Sequence, residues 1–208
     1  MESFIYFISN HNAIIIGISA ALISICFLTN FLIDVSGMAC CCYQKKMYEF
    51  KTSLITAIAG IGFFGLGVGE VPSVFYVGQH INLYYTVLNV GVGSILTGIG
   101  FIIYGIRGWI RTRANKLKQE SERYYSFSYV GLTALPGLFL LCVTSFLNEG
   151  FTLVGVGYIA IILSFFIGKL PNIYAKGLAY ALSGFGIIHL GGDYVILAMG
   201  EFKYLLGL

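Results

Sequence analysis

Six apolar stretches, each about the length of a bilayer-crossing helix, are joined by connections that collect the cations on alternate turns. The stretches cover about 13–33, 53–76, 83–106, 127–148, 151–170 and 175–198. A hydrocarbon core of roughly 30 Å takes about 20 apolar residues per helix. None of the six alternates polar and apolar residues with period two, so a β-barrel is excluded as the reading. With 58% hydrophobic and 10% charged residues, against about 25% charged in an ordinary globular domain, the chain cannot cover a water-facing surface. The expected fold is all-α: a single polytopic domain over residues 1–208, built as a six-transmembrane-helix bundle whose solvent is the lipid bilayer.

Charge sets the orientation. Eleven of the twelve Lys and Arg residues lie in three connections. The 34–52 connection holds Lys45, Lys46 and Lys51. The 107–126 connection holds Arg107, Arg111, Arg113, Lys116, Lys118 and Arg123, and the 169–176 turn holds Lys169 and Lys176. The rule that short basic loops stay in the cytoplasm puts these three inside and both termini on the non-cytoplasmic side. Four acids (Asp34, Glu49, Glu120, Glu122) accompany the cations. The other five (Glu2, Glu70, Glu149, Asp193, Glu201) and all three histidines fall in the outer half or the membrane. The basic 107–126 loop reads as a topology-setting segment or a site for anionic lipid. Its Lys116/Glu120 and Lys118/Glu122 pairs suit a helical extension of the third span, with Trp109 at the interface. No nucleic-acid partner is expected. The N-terminal residues carry no cation ahead of the first apolar run, so no cleavable leader is expected.

Glycine is abundant, at 27 residues. Gly60, Gly62, Gly65, Gly67 and Gly69 crowd the second stretch, and Gly91, Gly93, Gly98, Gly100 and Gly105 the third. Small residues let helix backbones approach closely in lipid; the same faces would also let a substrate meet backbone. The even-numbered helices are the Gly-rich ones that lead to outer polar residues. Ala59-Gly60-Ile61-Gly62-Phe63 parallels Ala181-Leu182-Ser183-Gly184-Phe185, which suggests a three-hairpin pseudo-repeat.

Ionisable residues within a span are costly and therefore functional candidates. Glu70 is followed by Pro72, which cannot donate to the carbonyl four residues earlier. A helix break there, beside a carboxylate, is a way to build an ion or proton site. His189 and Asp193 stand four residues apart, on one helix face, where a carboxylate orients an imidazole. His80 and Glu149 would line an outer vestibule. If a metal were bound, Glu70, His189 and Asp193 would be its ligands; no cofactor is expected. Pro136 is a second expected break or kink, with Thr133, Thr144 and Ser145 placed to re-satisfy the freed backbone. Asn89, Ser94 and Thr97 serve as hydrogen-bonding glue or line a path. A Ser94–His189 nucleophile pair lacks support, and the chain is not expected to be an enzyme. Five cysteines show no zinc or disulfide spacing; Cys40-Cys41-Cys42 abuts the first span, where acylation or soft-metal contact are the options.

The functional expectation is a small-cation or proton-coupled transporter or channel that uses the outer-half Glu70/His189/Asp193 cluster. The alternative is a non-catalytic membrane-complex subunit or sensor whose Gly-rich faces pack on partner subunits or on further copies of the chain.

Overall fold

The computed structural model describes residues 11–39, 45–70, 81–113, 126–147, 152–168 and 170–207. Among them there is no strand. Six helices follow one another: α1 (Asn12–Ala39), α2 (Lys45–Glu70), α3 (Ile81–Arg113), α4 (Ser126–Leu147), α5 (Thr152–Ile167) and α6 (Ile173–Leu205). The Asn12 side chain accepts from the amide of Ala13 at 2.7 Å. Asn172 caps α6 by accepting from the Tyr174 amide at 2.9 Å, which meets one of the orphan donors of a helix start. α6 stops where Gly207 takes φ 68°. The Leu206 and Gly207 amides there turn back to the carbonyls of Phe202 and Tyr204.

Several helices outrun their apolar stretches. α2 begins within the Lys45-Lys46 pair, α3 continues through Arg107 to Arg113, and α6 passes residue 198 to reach Leu205. Backbone hydrogen bonding does not stop at the edge of an apolar run, so the polar flanks wind on as helix. Among the described residues, four stretches are long and apolar enough to cross a membrane: Asn12–Ile33, Ser53–Glu70, Leu88–Arg107 and Gly177–Leu205. Ala134–Leu147 and Val154–Ile167 are apolar but shorter. The 16 residues of α5 rise only about 24 Å at 1.5 Å each.

The helices form a closed ring. Each packs on its neighbours in sequence, and α6 closes on α1; α4 only grazes α2 and α6 across the middle. Inward positions recur at steps of three and four. Ile16, Ala20, Ile23 and Phe27 are buried on α1; Ala59, Phe63 and Leu66 on α2; Ile187, Leu190, Tyr194 and Ala198 on α6. The outward positions are apolar too, with Ile18, Ile25 and Leu32 exposed on α1 and Leu96, Ile99 and Ile103 on α3. Helices apolar on every side belong in lipid.

The paired segments of the suggested repeat play different parts. Phe63 is fully buried whereas Phe185 is half exposed. Gly60 and Gly62 are wedged against α3 and α1, while Gly184 meets only the ring of Phe31 at ordinary distance.

Candidate functional site

Glycine brings the helices close enough for a site to form inside a narrow ring. A Cβ at Gly60 would stand 2.7 Å from the Gly98 carbonyl oxygen, and one at Gly67 2.5 Å from that of Gly91. These two glycines turn toward α3. Gly62, Gly65 and Gly69 turn the other way, onto Ile23, Ser19 and Ile16 of α1. On the far side of α3, Gly93 faces Leu141 and Gly137 of α4. These glycines of the second and third stretches are thus consumed within the chain itself rather than offered to a partner.

Aromatic rings close the middle. Phe27 lies 5.8 Å from Phe63 and 6.4 Å from Phe101, centroid to centroid. Phe63 meets Phe101 edge-on at 5.4 Å and Tyr194 edge-on at 5.5 Å. This geometry suits the ring quadrupoles. The four residues, from α1, α2, α3 and α6, form a waist.

Polar groups gather beside that waist. The buried hydroxyls of Tyr158 (α5) and Tyr194 (α6) share a hydrogen bond of 2.5 Å. Tyr194 also interacts electrostatically with Glu70 and with Asp193, and Tyr158 with Asp193. Glu70 in turn interacts with Glu201, whose Cβ sits where α6 crosses Gly17 of α1. The phenol pair thus feels the charge of carboxylates on α2 and α6.

The expected triad is divided. His189 and Asp193 do share a face, but at 3.6 Å from Nε2 to Oδ2 the approach is longer than a hydrogen bond. Asp193 Oδ2 is buried and accepts no hydrogen bond among the described residues. Phe185 stacks flat on His189, 5.7 Å away at 9°, and a Cβ on Gly157 of α5 would meet the His189 ring at 3.1 Å. The pair thus belongs to the α5/α6 seam. Nor does it match Glu70 in depth. His189 is the central residue of α6, and the eight residues from Asp193 to Glu201 rise about 12 Å. Glu201, not Asp193, is the α6 carboxylate whose charge bears on Glu70. The sixth apolar stretch ends at about 198 in the sequence, whereas the span runs on to Leu205 and takes in Glu201. Among the described residues no group of three or more His, Cys, Asp or Glu could hold a metal ion, so the conditional Glu70/His189/Asp193 ligand set does not form.

The expected helix breaks fare differently. α4 runs unbroken through Pro136. Thr144 and Ser145 bond the carbonyls of Leu140 and Leu141, each four residues back on the same helix, too far along to serve the carbonyl that Pro136 leaves free. α2 ends at Glu70; Pro72, His80 and Glu149 lie outside the described residues, as do Cys40, Cys41 and Cys42. Cys26 and Cys142 are buried free thiols. Ser94 sits on α3, which does not neighbour α6 in the ring, so the nucleophile pair with His189 does not assemble. Ser94 and Thr97 are fully buried, and their hydroxyl oxygens find no hydrogen-bond partner among the described residues.

The sequence singles out neither Tyr158, Tyr194 nor Asn30, and places Glu201 only among the outer acids. A signal exists for one tyrosine. Tyr158 falls well inside an apolar stretch, away from the interface where membrane tyrosines concentrate, whereas Tyr194 stands near the end of the 175–198 stretch and carries no such mark. No known protein family, curated protein or solved structure matches this chain.

Proposed function

We propose that this chain is a six-span membrane transporter for a proton or a small cation, its spans arranged as three hairpins and its termini on the non-cytoplasmic side. One observation carries the reading: the hydroxyls of Tyr158 and Tyr194 share a hydrogen bond inside the ring, with Asp193 next to Tyr194 on α6 and the Glu70 and Glu201 carboxylates toward the C-terminal end of that helix. Glu70, Tyr194, Tyr158 and Asp193 form an electrostatically linked series, and two of them share a hydrogen bond. Such groups are expensive in a membrane interior and are retained where an ion or proton passes. Glu70 would bind the ion or proton, with Glu201 beside it. The tyrosine hydroxyls, each donor and acceptor, would relay a proton toward Asp193 and His189. The aromatic waist favours a carrier over an open channel, because the rings of Phe27, Phe63 and Phe101 pack together across the middle of the ring of helices.

Reconstitution into liposomes with a pH gradient or a cation gradient tests this. Glu70→Gln removes the charge and keeps the shape; flux should fall at least about tenfold, the scale of losing one charge-assisted contact. Unchanged flux removes Glu70 from the mechanism.

The subunit reading keeps one specific support. Gly192 and Gly200 of α6 have nothing within 4 Å of a Cβ, and they lie two turns apart on one face. A partner helix would find close approach there. Loss of a homogeneous species on purification in detergent without a partner would favour this reading over the transporter.

A further inference from the structure

A fully buried amide on the basic side of the waist has no place in the series described above. On α1 the inward stripe runs Ile16, Ala20, Ile23, Phe27 and then Asn30, which is 1% exposed. The steps of four and three keep Asn30 in phase with Phe27, whose ring is part of the waist. Both Oδ1 and Nδ2 of Asn30 lack a hydrogen-bond partner among the described residues. An amide buried with neither its donor nor its acceptor met is costly, and native proteins resolve it with a partner or water.

Helix register shows what surrounds it. Ile16 lies against Gly69 and Ile23 against Gly62, so α1 and α2 run antiparallel. Continuing seven residues past Ile23 brings Asn30 level with residue 55, beside the buried Ser53 and Thr56. On α6, Phe27 lies against Gly191 and Phe31 against Gly184. Asn30 therefore falls along the stretch whose buried residues include Ser183 and Ile187. The buried polar side chains that these three helices bring to this level are hydroxyls; His189 of α6 is near the same level but is turned to the α5 seam. The Glu70 and Glu201 carboxylates lie on the other side of Phe27 and Phe63.

We propose that Asn30 is the ligand-contacting residue of a water-bearing site on the basic side of the aromatic waist, occupied by water or by a small cation in its hydration shell. An adjacent acceptor and donor suit a molecule that both donates and accepts, which is water's chemistry. Ser53, Thr56 and Ser183 supply further hydroxyls. In the transport reading, on which the cation occupant rests, the interior holds two stations of different chemistry. Carboxylates take a proton or cation on one side of the waist, and neutral oxygens receive it on the other.

Cysteine accessibility tests the site without requiring transport. In full-length protein with the native cysteines replaced, Asn30→Cys, Ser53→Cys and Ile23→Cys are each exposed to 2-aminoethyl methanethiosulfonate in liposomes. Ile23 is equally buried but lies one heptad away, past Phe27. Thiol reaction requires water and the thiolate, so positions 30 and 53 should react at least about tenfold faster than position 23. Reaction slowed by sodium or potassium, relative to N-methylglucamine, assigns the occupant as a hydrated cation; reaction indifferent to the salt assigns it as water. Equal, slow reaction at 30 and 23 in protein that remains monodisperse and helical overturns the site. Should Asn30→Cys fail to fold, Ser53→Cys decides by the same comparison. Fast labelling together with flux insensitive to Glu70→Gln would keep this site and remove the Glu70 assignment.

Discussion

Gly98→Ala puts the packing logic of the ring to a quantitative test. A Cβ at this position would stand 2.5 Å from the Phe64 amide nitrogen, 2.7 Å from the Gly60 oxygen and 2.9 Å from the Phe64 Cα. All three are backbone atoms of α2, so no side chain can swing aside. Restoring ordinary contact requires α2 and α3 to part by about 1 Å, and a gap of 0.5–1 Å forfeits a quarter to a half of each dispersion contact along the seam. Overpacking of this kind costs about 1–3 kcal/mol. Gly→Ala in a helix interior returns about 1 kcal/mol of backbone entropy, so the net loss is smaller than the clash itself. Gly192→Ala is the control, since nothing lies within 4 Å of its Cβ and only the favourable entropy remains. With roughly 2–4 °C per kcal/mol for a chain of this size, Gly98→Ala should melt about 2–12 °C below Gly192→Ala. Paired thermal scans of the purified proteins in one detergent measure this. Equal melting temperatures would refute the close approach of α2 and α3.

Other perturbations address the interior and the topology. Tyr158→Phe and Tyr194→Phe should each destabilise by about 1 kcal/mol, and the double variant by less than the sum, because both remove one hydrogen bond; additive losses in unfolding measurements would contradict the pairing. Phe63→Ala opens the waist from the ring that touches three others and should cost about 3–5 kcal/mol, seen as a large fall in melting temperature, whereas Phe64→Ala on the outward side should cost much less. A cysteine placed ahead of Asn12 should react with an impermeant thiol reagent added outside intact cells, and one in the 107–126 connection should not; the opposite pattern would invert the orientation.

The polytopic class was legible because its cause is local. A run of about 20 apolar residues needs no tertiary information to announce a helix in lipid. The site was legible only in part. Glu70 and Asp193 stand out as charges in apolar runs, and the four-residue spacing correctly put His189 and Asp193 on one face. Their separation from Glu70 was not readable. Depth depends on where α6 begins and ends, and α6 continues through Gly200-Glu201-Phe202-Lys203 to Leu205, where two charges hide the continuation of the span from the run of apolar residues before it. The glycines were recognised as close-packing residues, but not that α2 divides them between two neighbours, with Gly60 and Gly67 toward α3 and Gly62, Gly65 and Gly69 toward α1.

The amino-acid sequence by itself determined that the chain is helical, that it is apolar enough for a bilayer, and that its cations collect on alternate connections. Hydropathy, helix length and charge are properties of segments, and they survive without contacts. Which side of each helix faces inward was decided only by the tertiary structure. Phe63 is fully buried and its neighbour Phe64 is 41% exposed; Tyr194 is 6% exposed and Tyr204, on the same helix, 77%. In water the polar face of a helix would have separated these residues. In lipid both faces are apolar, so the pattern carries no inward mark, and ring closure of α6 on α1 alone assigns Tyr194 and Asn30 to the interior.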